Sequence, residues 1–180
     1  SHAFMFDGDD AGPTRYDPCR PVRWVLNPQG MPEGGRTMVQ DAIEDVSRAS
    51  GLVFEYAGET EEPAAFDRDL FQDRYGDDFA PVIVGWSDQA ATPDLAGSVT
   101  GLGGSSSVNG AYGDQRFLAA GVVVLDREDV ATLQRSPRGS ALATAVIMHE
   151  LAHVIGLAHV DDPSELMNDE NSQLVAWGPG

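Results

Sequence analysis

Three histidines and a glutamate stand at a spacing that could hold and use a metal ion, in the run His149-Glu150-Leu151-Ala152-His153-Val154-Ile155-Gly156-Leu157-Ala158-His159. On an α-helix, residues four apart lie one above the other, so His149 and His153 offer two imidazoles to one ion. Glu150, one position round, falls beside such an ion and is better placed to hydrogen-bond a bound water than to ligate. His159 cannot reach from the same straight helix. Ten residues at about 1.5 Å of rise would carry it roughly 15 Å along the axis, whereas a Zn–N bond is about 2.0–2.1 Å. The helix must therefore stop and the chain fold back. Gly156 stands where that stop is needed, and glycine takes a left-handed conformation without a Cβ clash. Imidazoles suit Zn²⁺, and three protein ligands leave a fourth position for water, as in a catalytic rather than a structural site. Water held there has a pKa near 7 and polarising metal beside it, with Glu150 as the general base.

The elements that must position these residues can be read from the rest of the chain. Ser136 as N-cap and Pro137 as first helical residue would open the histidine-bearing helix, which runs on through Ala141, Leu142, Ala145 and Val146. Residues 21–26 alternate as a first strand, and the turn at Asn27-Pro28-Gln29-Gly30 follows. From about residue 33 to 50, Val39, Ala42, Ile43, Val46 and Ala49 recur at helical spacing, with Gly51 as the stop. Residues 52–56 form a second strand. Strand, helix, strand with short joints favours a parallel pair with a crossover. The unbroken apolar run 81–86 is a buried strand, residues 98–102 a short strand, 103–113 a loop rich in glycine and serine, and 119–125 the last strand. Residues 1–21 read as an irregular arm. Four or five strands beside two main helices make an α/β or α+β layer structure with the metal at one edge.

Residues 58–80 interleave eight carboxylates with Phe66, Phe71, Tyr75 and Phe79. We read them as a solvated insertion pinned by its aromatics. Ca²⁺ binding is the second reading, without EF-hand spacing to support it.

The 180 residues suit one domain, 1–180, with a core that needs no disulfides. The single cysteine, Cys19, excludes an internal disulfide. A net charge of −18, with 11 arginines and no lysine against 29 carboxylates, disfavours nucleic acid and anionic membrane surfaces as partners. No stretch approaches the roughly 18 apolar residues of a membrane span, and no leader segment is visible.

With its HExxHxxGxxH run and with Ser164-Glu165-Leu166-Met167, the sequence resembles the metzincin zinc peptidases, and among them most the matrixins. The resemblance implies a five-stranded twisted mixed sheet over the zinc helix, with Met167 in a turn beneath the metal as a hydrophobic floor. It implies a secreted, monomeric, zinc-dependent endopeptidase acting on protein or peptide substrates. An edge strand near residues 98–103 would take the substrate as an added strand. It also brings calcium, a propeptide or a proteinaceous inhibitor into view. The chain departs from the matrixin pattern at Val160-Asp161 after the third histidine, and Asp169 replaces the tyrosine ligand of other branches. A second, histidine-held zinc is not expected, and the helix that normally follows the Met-turn is expected to be absent or cut short. Asp17-Pro18-Cys19-Arg20-Pro21 is not the inhibitory cysteine motif of matrixin propeptides. Two rival readings stay open: a zinc-binding interaction module without cleavage, and a structural zinc domain with Asp161 as its fourth ligand.

Overall fold

The computed structural model describes residues 2–6, 12–110 and 115–169. In chain order the elements are β1 (Ala3–Phe4), β2 (Val22–Leu26), α1 (Gly35–Ser50), β3 (Phe54–Glu59), β4 (Val82–Ser87), β5 (Gly101–Asn109), β6 (Arg116–Asp126), α2 (Arg127–Gln134), α3 (Gly139–Val154) and β7 (Leu157–Ala158). The main sheet has the order β3-β2-β4-β6-β5. Its first four strands are parallel, and β5 runs antiparallel to β6 at the edge. This is the mixed five-stranded sheet expected from the sequence.

Strand pleating divides the apolar residues between two cores. Val22, Trp24 and Leu26 of β2, Val82 and Val84 of β4, and Val123 and Leu125 of β6 face the helices. There they meet Val39, Ala42, Ile43 and Val46 of α1 and Ile147, Leu151 and Val154 of α3. Val25, Ile83, Val122 and Val124 face the other way, under Ala64, Tyr75, Leu95 and Val99 of the long connections. Ile147 and Leu151 are fully buried, and each such side chain is worth about 1.5–3 kcal/mol of burial. The histidine-bearing helix is therefore anchored in the first of these cores. No described helix is long and apolar enough to cross a membrane.

Several expectations are corrected. Residues 103–109 are strand, not loop: β5 is nine residues long, and its glycines serve close packing, as shown below. Ser136 and Pro137 do not open α3. They lie in the turn after α2, where the Ser136 hydroxyl donates to the Leu133 carbonyl, and α3 starts at Gly139 behind the left-handed Arg138 (φ 62°). Helix α2 itself was not foreseen. Asp126 caps it by accepting from the Glu128 and Asp129 amides. β3 begins at Phe54 rather than at residue 52, and α1 at Gly35.

The insertion at 58–80 is pinned by its aromatics only in part: Phe66 and Phe71 are more than half exposed, whereas Tyr75 packs on the second core. Its anchor is a buried ion pair. Arg68 donates from Nε and Nη2 to the two Glu62 carboxylate oxygens, both at 2.8 Å, and from Nη1 to the Pro81 and Gly121 carbonyls. Gln72 and Tyr75 complete the Glu62 shell. The arm is also more ordered than read. β1 pairs antiparallel with β7, and Arg15 and Tyr16 lie on β6, where the Tyr16 hydroxyl meets Ser105 and the Gly121 amide. The chain end, including the site of the expected post-turn helix, lies outside the described residues.

Candidate metal centre

α3 carries His149, Glu150 and His153 on consecutive turns, and all three are buried, at 3%, 5% and 9% exposure. The helix closes through the Ile155 and Gly156 amides, which donate to the Leu151 and His153 carbonyls. Gly156 has φ 103°, and a Cβ there would meet Leu118 Cδ1 at 3.0 Å and the Thr14 carbonyl at 3.2 Å. Conformation and space both require glycine, as the sequence indicated. The chain then doubles back through β7 and delivers His159 to the rim, where it is exposed. β1 braces this return: Ala3 and Phe4 pair with Ala158 and Leu157, and the Met5 amide donates to the Gly156 carbonyl at 2.9 Å.

The three Nε2 atoms converge, 3.1 Å from His149 to His153, 3.1 Å from His149 to His159, and 3.0 Å from His153 to His159. Backbone carbonyls fix the tautomers of two of the rings. His149 Nδ1 lies 2.7 Å from the Leu166 carbonyl and His153 Nδ1 2.8 Å from the Leu157 carbonyl. A carbonyl only accepts, so each Nδ1 carries the proton and each Nε2 presents a lone pair to the shared centre. Burial pushes the His153 pKa down to about 4, with a raising effect of the Leu157 carbonyl and smaller lowering effects of His149 and His159. Burial likewise lowers that of His149. Lone pairs crowded together on neutral rings have no partner in one another. They fit a cation, and four ligands at about 2.0–2.1 Å around a tetrahedral zinc would stand roughly 3.3 Å apart, close to the separations found. Among the described residues this is the one group of three or more histidine, cysteine or acidic side chains whose donor atoms converge. Asp161 is exposed and outside it, and the carboxylates of 58–80 form no such group, so neither a fourth protein ligand nor a calcium site finds support.

Glu150 stands beside the triad without joining it. Burial alone pushes its carboxyl up to about 8. It lines a cleft of about 510 Å³ together with the three histidines, residues 98–103, Val146, Ala158, Met5 and Asp169. The free edge of β5 runs along this cleft. Met167 is buried at 8% exposure, and its carbonyl accepts from the Val160 amide while the preceding Leu166 holds His149. The Met-turn and the third-histidine segment are thus tied to each other. Cys19 is exposed and is not among the cleft-lining residues.

Sequence reasoning expected an edge strand near residues 98–103 but missed the packing of Gly101 and Gly103 against Glu150, and it missed Met5 and the Leu157 and Leu166 carbonyls. The alternate glycines of Gly101-Leu102-Gly103 were the one available signal, since glycines two apart on a strand share a face.

No curated protein matches the chain. Among solved structures, archaemetzincin from Methanopyrus kandleri is similar, at 17% identity, over 87% of this chain and 84% of that chain, with a TM-score of 0.49. The sequence model of the matrixin peptidase family matches residues 103–174. That segment holds most of β5, all of β6 and α3, the three histidines and Met167, so the metzincin resemblance read from the zinc motif holds over the residues that converge at the metal centre.

Proposed function

We propose that this protein is a zinc-dependent endopeptidase. The observation that carries the proposal is the convergence of three Nε2 lone pairs, two of them fixed by backbone carbonyls, with the unligated Glu150 carboxylate beside them. His149, His153 and His159 would hold the metal. When bound, zinc supplies Lewis acidity, lowering the pKa of its water towards about 7 and polarising the scissile carbonyl.

The chain's own residues do the rest. Leu157 and Leu166 keep the His153 and His149 rings in the ligating tautomer. Glu150 takes the proton of the attacking water on its carboxylate and later delivers it to the leaving amine. Its burial raises its proton affinity, which suits a group that must hold that proton between the two events. The backbone at residues 98–103 would receive the substrate as an added antiparallel strand, with affinity from main-chain hydrogen bonds and preference from the cleft walls. Met167 would form an apolar floor. Secretion, a monomeric state, and control by a propeptide or proteinaceous inhibitor belong to the same proposal and rest on the matrixin resemblance.

The test is cleavage of an unfolded protein and a quenched peptide library by zinc-loaded protein, with a chelator and Glu150→Ala as controls. Chelator-sensitive cleavage that the variant loses is expected. Folded, zinc-bound protein that cleaves nothing would overturn the proposal and favour a zinc-holding interaction module.

A further inference from the structure

The edge strand meets both the backbone and the side chain of Glu150 on α3, and it does so at two glycines. Gly101 and Gly103 pair with Leu125 and Val123 of β6, and being two apart they share the face that looks at α3. Leu102 between them packs on the opposite core. A Cβ at Gly103 would lie 2.7 Å from the Glu150 carbonyl carbon and 2.8 Å from its Cα. A Cβ at Gly101 would lie 2.8 Å from Glu150 Cγ, 3.2 Å from Cδ and 3.1 Å from Oε1. Real Cβ atoms do not approach carbon that closely. Strand and helix therefore meet at a distance that only glycine permits.

We propose that the two glycines act together to position Glu150, with Gly103 setting the strand-to-helix spacing and Gly101 setting the carboxylate. Gly103 bears on backbone in the C-terminal half of α3, inside its hydrogen-bonded turns, which cannot yield alone. Gly101 bears on the middle of the side chain, so the bare backbone there forms the wall against which the Glu150 carboxylate rests. The carboxylate has no described hydrogen-bond partner to hold it, and packing against Gly101 takes that part. Gly101 is a positioning residue: it acts through Glu150, whose side chain supplies the three atoms nearest to a Cβ placed there. For catalysis this rests on the peptidase reading, whereas the contact itself does not.

The experiment is a double-variant cycle on the zinc-loaded 180-residue chain with Gly101→Ala, Glu150→Ala and their combination. Gly101→Ala should lower the melting temperature by about 3–8 °C, as overpacking does in a chain of this length. In the Glu150→Ala background the clashing atoms are gone, and the same change should cost under about 2 °C. Zinc affinity should stay within about threefold, while kcat for a peptide falls at least about tenfold with KM within about threefold. Gly104→Ala on the same strand, whose Cβ would meet only the exposed Phe66 ring at 3.3 Å, should show no coupling to Glu150. If Gly101→Ala does not fold, recovery of folding by added Glu150→Ala supports the proposal, and failure of both overturns it. Equal melting losses in the two backgrounds, or an unchanged kcat in Gly101→Ala, would also overturn it. A wild type that cleaves nothing sinks the peptidase reading, and the melting cycle still decides the positioning.

Discussion

Zinc should stabilise this fold strongly, and the size of the effect follows from the triad. Three Nε2 atoms lie 3.0–3.1 Å apart on a finished backbone frame, so binding an ion requires little rearrangement, and an ion that binds only the folded chain stabilises it by mass action. At free zinc a thousandfold above the dissociation constant the gain is about 4.1 kcal/mol. At roughly 2–4 °C per kcal/mol for this size, the melting temperature should rise by about 8–16 °C. The pH dependence has a definite sign. His153 titrates near 4 when folded against 6.5 in the open chain, and His149 is shifted in the same direction. Between those values the unfolded chain binds protons that the folded chain does not, so unfolding takes up protons and stability rises with pH. The contribution is complete above about 6.5 and is lost as pH falls towards 4. Zinc requires the same neutral rings, and its stabilisation should shrink across that window. Melting of metal-stripped protein titrated with zinc at pH 5, 6 and 7.5 measures both effects, with His153→Ala as the control. A shift below about 2 °C at saturating zinc and pH 7.5, or an equal shift in His153→Ala, would refute the assignment of the triad.

Three further outcomes are expected. Arg68→Met leaves Glu62, at 5% exposure, without its buried partner, and should cost about 3–5 kcal/mol. At Glu62, burial acts to raise the carboxyl and the bonds from Arg68, Gln72 and Tyr75 outweigh it, so the net shift is below 4.5. The stability gap between wild type and Glu62→Gln should therefore be present above about that pH and close as pH falls through the lower folded value. A flat gap down to pH 3 would contradict the pairing. A chain lacking residues 2–6 loses the β1–β7 pairing and the Met5 bond to Gly156. It should release zinc to a chelator about ten times faster or more, the scale on which groups that orient metal ligands act, and an unchanged rate would show that β1 braces nothing.

The parts of the site legible in the sequence are those fixed within about ten residues. The spacing of His149 and His153 needs only the helix repeat, and the stop at Gly156 only the requirement that His159 return. Its φ of 103° and its contacts with Leu118 and Thr14 bear that out. Parallel β2 and β3 around α1 were legible for the same reason. Asp126 carried an N-cap signal for α2 that the long apolar strand before it concealed, and Ser136-Pro137 imitated a helix start while closing the previous helix.

The illegible parts depend on residues far apart in the chain. Gly101-Leu102-Gly103-Gly104 has the local preferences of a loop, because glycine loses more entropy in a strand than any other residue. Those preferences are overruled by what lies across from it: a helix whose Glu150 leaves no room for a Cβ. β1 likewise has no strand signature of its own, and exists because β7 presents an unpaired edge between the second and third histidines. In both places a segment with weak intrinsic structure is ordered by contact with the histidine-bearing helix or the loop that leaves it. The histidine motif therefore offers packing partners to its surroundings as well as a set of ligands. A sequence read locally shows the motif and a short strand at 98–102, and misses both the contact of that strand with Glu150 and the segment that braces the return to His159.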